Sequence, residues 1–424
     1  MKDIAKLAVF GGQPAFAETL HVGSPNIGDR AQLMARIETM LDRRRLTNRG
    51  PYVEELEQRL AAFLGVKHCI TMCNGTVALE IAIRALGLTG EVIVPSMTFI
   101  ATPHALQWQE ITPVFCDIDP QTMTIDPAQV RRMITPKTSG ILGVHLWGRV
   151  CNTEALQEIA GEHQLALLFD AAHAFGCSRN GRMVGNFGDA EVFSFHATKF
   201  FNTFEGGAVA TNNDELAARM RLMQNFGFSG LDNVIYIGTN GKMNEVSAAM
   251  GLTGLESLDE FMAVNYQHYL QYERELADIP GIALFRFEPG EQYNYQYIAV
   301  EVDANRCGLS RDAFVEILHA ENVRARRYFY PGCHRMEPYR SYFPNAGMLL
   351  PATERAVERF MLLPTGTAMD SQSISRLCGL IRFIAENGSR IHVNLLHRTQ
   401  EAQLEAVSIA AKPKKKITRT PRVS

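Results

Sequence analysis

Lys199 is the residue in this chain best placed by its neighbours to do chemistry. It lies in Glu191-Val-Phe-Ser-Phe-His-Ala-Thr-Lys-Phe-Phe-Asn-Thr-Phe-Glu-Gly-Gly-Ala-Val-Ala210, where the pattern predicts two apolar strands, 192–195 and 208–210, joined by a loop. Desolvation among such strands lowers an amine's pKa. A low-pKa amine beside the hydroxyls of Ser194 and Thr198 suits a Schiff base to an aldehyde cofactor. A loop lysine that reaches solvent is the commoner case, so the reading rests on its company. Asp170 ends the apolar run Leu165-Ala-Leu-Leu-Phe169. A carboxylate there is costly unless a cation meets it, either a protonated ring nitrogen or an arginine. Cys73-Asn-Gly-Thr76 turns a predicted strand into a predicted helix, a junction that offers free backbone N–H groups to an anion.

The elements that must position these groups read as an alternation. Strands are expected at 68–72, 91–95, 113–117, 140–145 and 165–170, with helices at 52–64, 77–86 and 154–163. Short apolar strands separated by helices argue for βαβ units, a largely parallel sheet and a ligand site at the strands' carboxyl ends. Beyond a Pro- and Gly-containing stretch at 278–294, a strand with one exposed face is expected at 295–302, then helices at 311–321, 351–360 and 371–386. The expected division is a large domain over 1–254 that includes an N-terminal arm, a small α+β domain over 255–392, and a basic, disordered tail over 393–424.

Composition narrows the function. The 424 residues are 46% hydrophobic and 21% charged, with a formal net charge of −3, so no electrostatic case exists for nucleic acid or membrane binding. The first apolar run is too short for a signal segment, and no stretch reaches the roughly 18 apolar residues of a membrane span. Eight scattered cysteines without a Cys-x-x-Cys pair read as reduced thiols in a cytoplasmic protein. Cys69, Cys73 and His68 are a weak metal hint that strand packing explains better, and no metal is expected.

Seven segments, taken together and in order, resemble the DegT–DnrJ–StrS sugar aminotransferases, fold type I enzymes that use pyridoxal 5′-phosphate. They are Leu46-Thr-Asn-Arg-Gly-Pro51, Asn74-Gly-Thr76, Val94-Pro-Ser-Met-Thr-Phe99, Val144-His-Leu-Trp-Gly148, Asp170-Ala-Ala-His-Ala-Phe-Gly176, Phe193-Ser-Phe-His-Ala-Thr-Lys199 with Glu205-Gly-Gly207, and Gly238-Thr-Asn240. The resemblance spans about residues 20 to 390 and implies an α/β fold with a mostly parallel seven-stranded sheet. It implies that Lys199 bonds the cofactor and moves the proton, and that Asp170 holds the ring nitrogen protonated. Phe99 would stack on the ring and His173 would support its phenolic oxygen. Gly75, Thr76 and Ser194 would take the phosphate, joined by Asn240 from the neighbouring subunit of a homodimer. Thr47, Asn48, Arg326, Tyr328 and His334 are candidate substrate contacts. The implied reaction moves an amino group from L-glutamate to a nucleotide-linked keto-deoxysugar, with a dTDP-4-keto-6-deoxyhexose aminated at C4 as the subtype. A 3-keto-sugar or keto-cyclitol aminotransferase, and a non-catalytic regulatory protein that binds the cofactor, are the alternatives.

Overall fold

The computed structural model describes residues 3–411. The short strand Leu20–His21 (β1) and the helices Arg30–Arg43 (α1) and Pro51–Leu64 (α2) come first. Strands and helices then alternate: His68–Met72 (β2), Gly75–Ala85 (α3), Glu91–Pro95 (β3), Ala101–Gln107 (α4), Thr112–Cys116 (β4) and Pro127–Met133 (α5). Thr138–Val144 (β5), Thr153–His163 (α6) and Ala166–Asp170 (β6) continue the series. A small hairpin, Ser178–Arg179 (β7) with Arg182–Met183 (β8), precedes Ala190–Ser194 (β9), Gly207–Thr211 (β10) and Asp214–Met223 (α7).

Seven strands form one sheet in the order β2-β10-β9-β6-β5-β3-β4. Only β10 runs antiparallel to its neighbours. This is the mostly parallel α/β sheet the sequence predicts. Helices cover both faces, so the central strands are apolar on both sides and read as unbroken hydrophobic runs. In β6, Leu167 and Phe169 enter one core layer and Leu168 the other. Local signals set the helix ends. Pro51 occupies the first turn of α2, Leu56 and Leu60 bury its inner face, and Gly65 at φ +69° ends it.

The rest of the chain builds a second core. Glu245–Glu256 (α8) leads into Leu258–Leu276 (α9), whose Leu258 and Phe261 join the large core while Tyr272 and Leu276 join the second. Ile282–Leu284 (β11), Ile298–Val302 (β12), Ala304–Cys307 (α10), Arg311–Ala320 (α11) and Val323–Arg324 (β13) follow. Tyr339–Tyr342 (α12), Pro351–Arg359 (α13), Phe360–Leu363 (β14), Ser371–Glu386 (α14) and Gly388–Ala411 (α15) complete the described chain.

Three expectations change. The strand expected at 295–302 starts at Ile298 and is the middle strand of the sheet β11-β12-β14, so it is buried instead of having an exposed face. The N-terminal arm, assigned above to the large domain over 1–254, packs on the second core. There Leu7, Val9 and Phe16 join Phe314 and Leu318, and β1 pairs in parallel with β13. Buried Glu321 anchors the arm by accepting N–H bonds from Ala8 and Ala15 at 2.9 and 2.6 Å. Finally, a disordered tail was expected from residue 393, yet α15 continues to Ala411. Residues 393–411 contain neither Gly nor Pro and are rich in helix formers. The basic segment Lys412–Arg422 lies outside the described residues.

Candidate active site

Beyond the carboxyl ends of β5, β6 and β9 lies a cavity of about 660 Å³, whose lining includes Val144, Asp170 and Ser194 from those ends. Arg326, Tyr328 and Phe329, from the chain just before α12, also line it. Of the residues singled out from the sequence, the cavity brings together Gly75, Thr76, Phe99, Asp170, His173, Ser194, Lys199, Arg326 and Tyr328.

Lys199 stands in the loop between β9 and β10, its N–H turned back onto the His196 carbonyl at 2.8 Å. Burial lowers its pKa to about 8, with the charge of Asp170 acting in the opposite sense. The described residues give its amine neither a hydrogen bond nor an ion pair. Asp170 is buried at the end of β6. It accepts a bond from the Thr102 hydroxyl at 2.8 Å and one from the Ala172 N–H at 3.1 Å. The Thr98 hydroxyl, 2.8 Å from that of Thr102, extends the relay. Burial raises the carboxyl's pKa, and no basic side chain among the described residues lies within ion-pair distance.

His173 takes part through its ring. Its Nδ1 accepts the Trp147 backbone N–H at 3.2 Å, and the ring lies parallel to Phe329 at 5.7 Å. Burial drives its pKa well below the usual value, so the imidazole is neutral and its proton sits on Nε2. Trp147 presents that N–H from a left-handed backbone, φ +55°. At the start of α3, the Asn74 side chain caps the Val77 N–H, while those of Gly75 and Thr76 have no partner among the described residues and lie at the cavity wall. A Cβ on Gly75 would lie 2.9 Å from the Ser194 Cβ, so the backbone approach requires glycine. Phe99 exposes 55% of its surface although it lies in this concave site.

Other predicted residues lie elsewhere. His334 is buried, its ring nitrogens 2.6 Å from the Ser96 hydroxyl and 2.7 Å from Glu354. It therefore braces the loop and does not line the cavity in which the sequence reading had it meet substrate. Thr47, Asn48 and Asn240 are exposed and outside the cavity of their own chain. His145, at the end of β5, is buried against Glu191 at 2.8 Å. Thr102 and Phe329 escaped the sequence reading. Thr102, which holds Asp170 without itself lining the cavity, could have been found from its place in the first turn of α4, the helix that follows β3. Phe329 sat within the aromatic segment 326–334, with nothing to separate it from packing residues.

Pyridoxal 5′-phosphate fits this arrangement. A buried carboxylate without a cation, an unbonded amine, unpaired N–H groups at a helix N-terminus and an exposed aromatic face match its ring nitrogen, aldehyde, phosphate and ring. A family model for the DegT/DnrJ/EryC1/StrS aminotransferase family matches residues 28–382. The dTDP-4-amino-4,6-dideoxy-D-glucose transaminase of Shigella dysenteriae is 39% identical over 312 residues, 74% of this chain and 85% of that one. GDP-perosamine synthase of Caulobacter vibrioides is 37% identical over 302 residues, 68% of this chain and 79% of that one. The crystal structure of DesI, described as containing its TDP-sugar product, superposes with a TM-score of 0.89 at 48% identity, covering 93% of this chain and all of that one. The chain belongs to the DegT/DnrJ/EryC1/StrS aminotransferases, a family that depends on pyridoxal 5′-phosphate.

Proposed function

We propose that this aminotransferase places an amino group on C4 of a dTDP-linked 4-keto-6-deoxyhexose, with L-glutamate as donor, in a cytoplasmic homodimer. The single observation that carries the substrate reading is the 48% identity, over 93% of the chain, to a structure described with a TDP-sugar product. The name of the Shigella dysenteriae relative supports amination at C4 of a dideoxyglucose.

The residues divide the work. When bound, the cofactor supplies an electron sink for the charge left when a proton leaves the carbon bearing nitrogen. The N–H groups of Gly75 and Thr76, with the hydroxyls of Thr76 and Ser194, hold its phosphate at the N-terminus of α3. Phe99 offers its exposed face to the ring, and His173 offers the proton on Nε2. Asp170, oriented by Thr102 and Ala172, holds the proton on the ring nitrogen. Lys199 takes the proton from the α-carbon of glutamate and, in the second half-reaction, delivers one to C4 of the sugar. A pKa near 8 keeps part of its amine unprotonated at neutral pH.

Absorbance of the cofactor-loaded protein tests the reading. L-glutamate should bleach the visible band, and a dTDP-4-keto-6-deoxyhexose should restore it. Restoration by a 3-keto sugar alone would move the amination to C3. A band that glutamate leaves unchanged would overturn the donor assignment.

A further inference from the structure

The cavity must admit two different anions in turn, and its inventory of charge leaves one side chain to meet them. Its acids are Asp170 and Glu205, and its basic groups are His173, His196, Lys199 and Arg326. His173 is neutral, as argued above. His196 already faces Glu205, with Nε2 3.5 Å from the carboxylate. Lys199 is committed to the reacting carbon. Arg326 alone among these remains a full cation with no carboxylate partner among the described residues.

Its setting is also prepared. Its backbone exchanges hydrogen bonds with Leu362 of β14 at 3.1 and 2.8 Å, which ties it to the second core's sheet. The guanidinium lies over the Tyr328 ring, 5.1 Å from its centroid, and donates to the Tyr328 hydroxyl at 3.0 Å. The next residue, Arg327, turns instead to Asp312 at 3.0 Å, a carboxylate it shares with Arg311. On one extended segment, then, one arginine meets a carboxylate and its neighbour lines the cavity without one among the described residues.

We infer that Arg326 is the common anion anchor of both half-reactions, pairing first with a carboxylate of the amino donor and then with the diphosphate of the nucleotide sugar. The inference rests on the donor and acceptor classes proposed above. A planar guanidinium suits both ligands because each offers two oxygens to its paired N–H groups. Two ligands that bind the same cation exclude each other, so the keto acid left by the donor must depart before the acceptor enters.

Arg326→Gln, with Arg326→Lys beside it, tests the assignment in the cofactor-loaded protein. An unchanged cofactor spectrum and circular dichroism would show that the variants fold and load. In single-turnover absorbance experiments the half-saturating concentrations of L-glutamate and of the dTDP-4-keto sugar should both rise about 10- to 100-fold in Arg326→Gln, while limiting rates stay within about threefold. Arg326→Lys, which keeps the charge and loses the fork, should fall between Arg326→Gln and wild type. Calorimetric titration with dTDP should show the same loss of affinity, and dTDP should inhibit the glutamate half-reaction competitively in the wild type, with an inhibition constant about 10- to 100-fold higher in Arg326→Gln. Wild-type half-saturation for either substrate in Arg326→Gln would overturn the shared anchor and leave the aminotransferase intact. A wild type that does not respond to glutamate would bring down the donor reading and the anchor with it.

Discussion

At the scale of single residues, Lys199 and Asp170 constrain each other. Burial lowers the lysine's pKa from 10.5 to about 8, and the carboxylate opposes that shift. The protonated amine dominates below pH 8 and the nucleophilic free amine above it. Capture of pyridoxal 5′-phosphate by the stripped protein should therefore rise about tenfold per pH unit up to 8 and level off beyond it. Asp170→Asn removes the opposing charge, so its midpoint should move below 8. Stopped-flow absorbance from pH 6 to 9.5 would measure both, and a wild-type midpoint near 10 would remove the buried-amine reading. Both residues stand out in the sequence because Lys199 lies in the loop that joins two apolar strands and Asp170 ends an apolar run, places where burial penalises a charge. Their supports do not. Thr102 acts on Asp170 through one hydroxyl, and the left-handed turn at Trp147 acts on the neighbouring His173 through one backbone N–H, for which residue type gives no sign. His334 misled because an imidazole in an aromatic, basic segment looks like a ligand contact until its partners Ser96 and Glu354 are seen.

At the scale of elements, helix and strand limits were mostly readable, since periodicity and caps are local. Gly65 and Asn74 announce the end of α2 and the start of α3. The start of α2 is different, because its cap comes from far along the chain. The buried carboxylate of Glu245, at the head of α8, accepts the N–H groups of Tyr52 and Val53 at 3.0 and 2.9 Å. A Cβ on Gly50 would fall 2.4 Å from that carboxyl carbon, which explains the glycine before Pro51. The Glu245 N–H also bonds the Leu46 carbonyl, so this clamp fixes the loop that carries Thr47 and Asn48. Glu245→Ala should cost about 1–3 kcal/mol, since it strips a charged acceptor from two donors at a helix N-terminus. Denaturant titration would measure the loss, and an unchanged midpoint would show that another group caps α2.

At the scale of the whole molecule, contacts distant in sequence decide what local patterns cannot. The N-terminal arm could be assigned to the second core only once Glu321 and β13 were seen to receive it. A similar question surrounds residues 226–240. Phe226, Phe228, Leu231, Val234, Ile235 and Ile237 are all exposed there, Leu231 by 95% and Ile237 by 75%. So many apolar side chains on one short stretch call for a cover, and Asn240 ends that stretch, outside its own cavity. Both facts support the proposal that this segment lies against a second copy and that Asn240 reaches the phosphate of the partner's site. In a two-fold dimer each site would then join Lys199 of one chain to Asn240 of the other. Lys199→Ala should be inactive, and Asn240→Ala should lose activity as cofactor becomes limiting. A dimer that mixes the two carries both lesions in one site and neither in the other. Co-refolding the variants and assaying at limiting cofactor should therefore recover activity that neither variant shows alone. Mixed dimers isolated by two affinity tags and no more active than Asn240→Ala would place both residues in a site made by one chain.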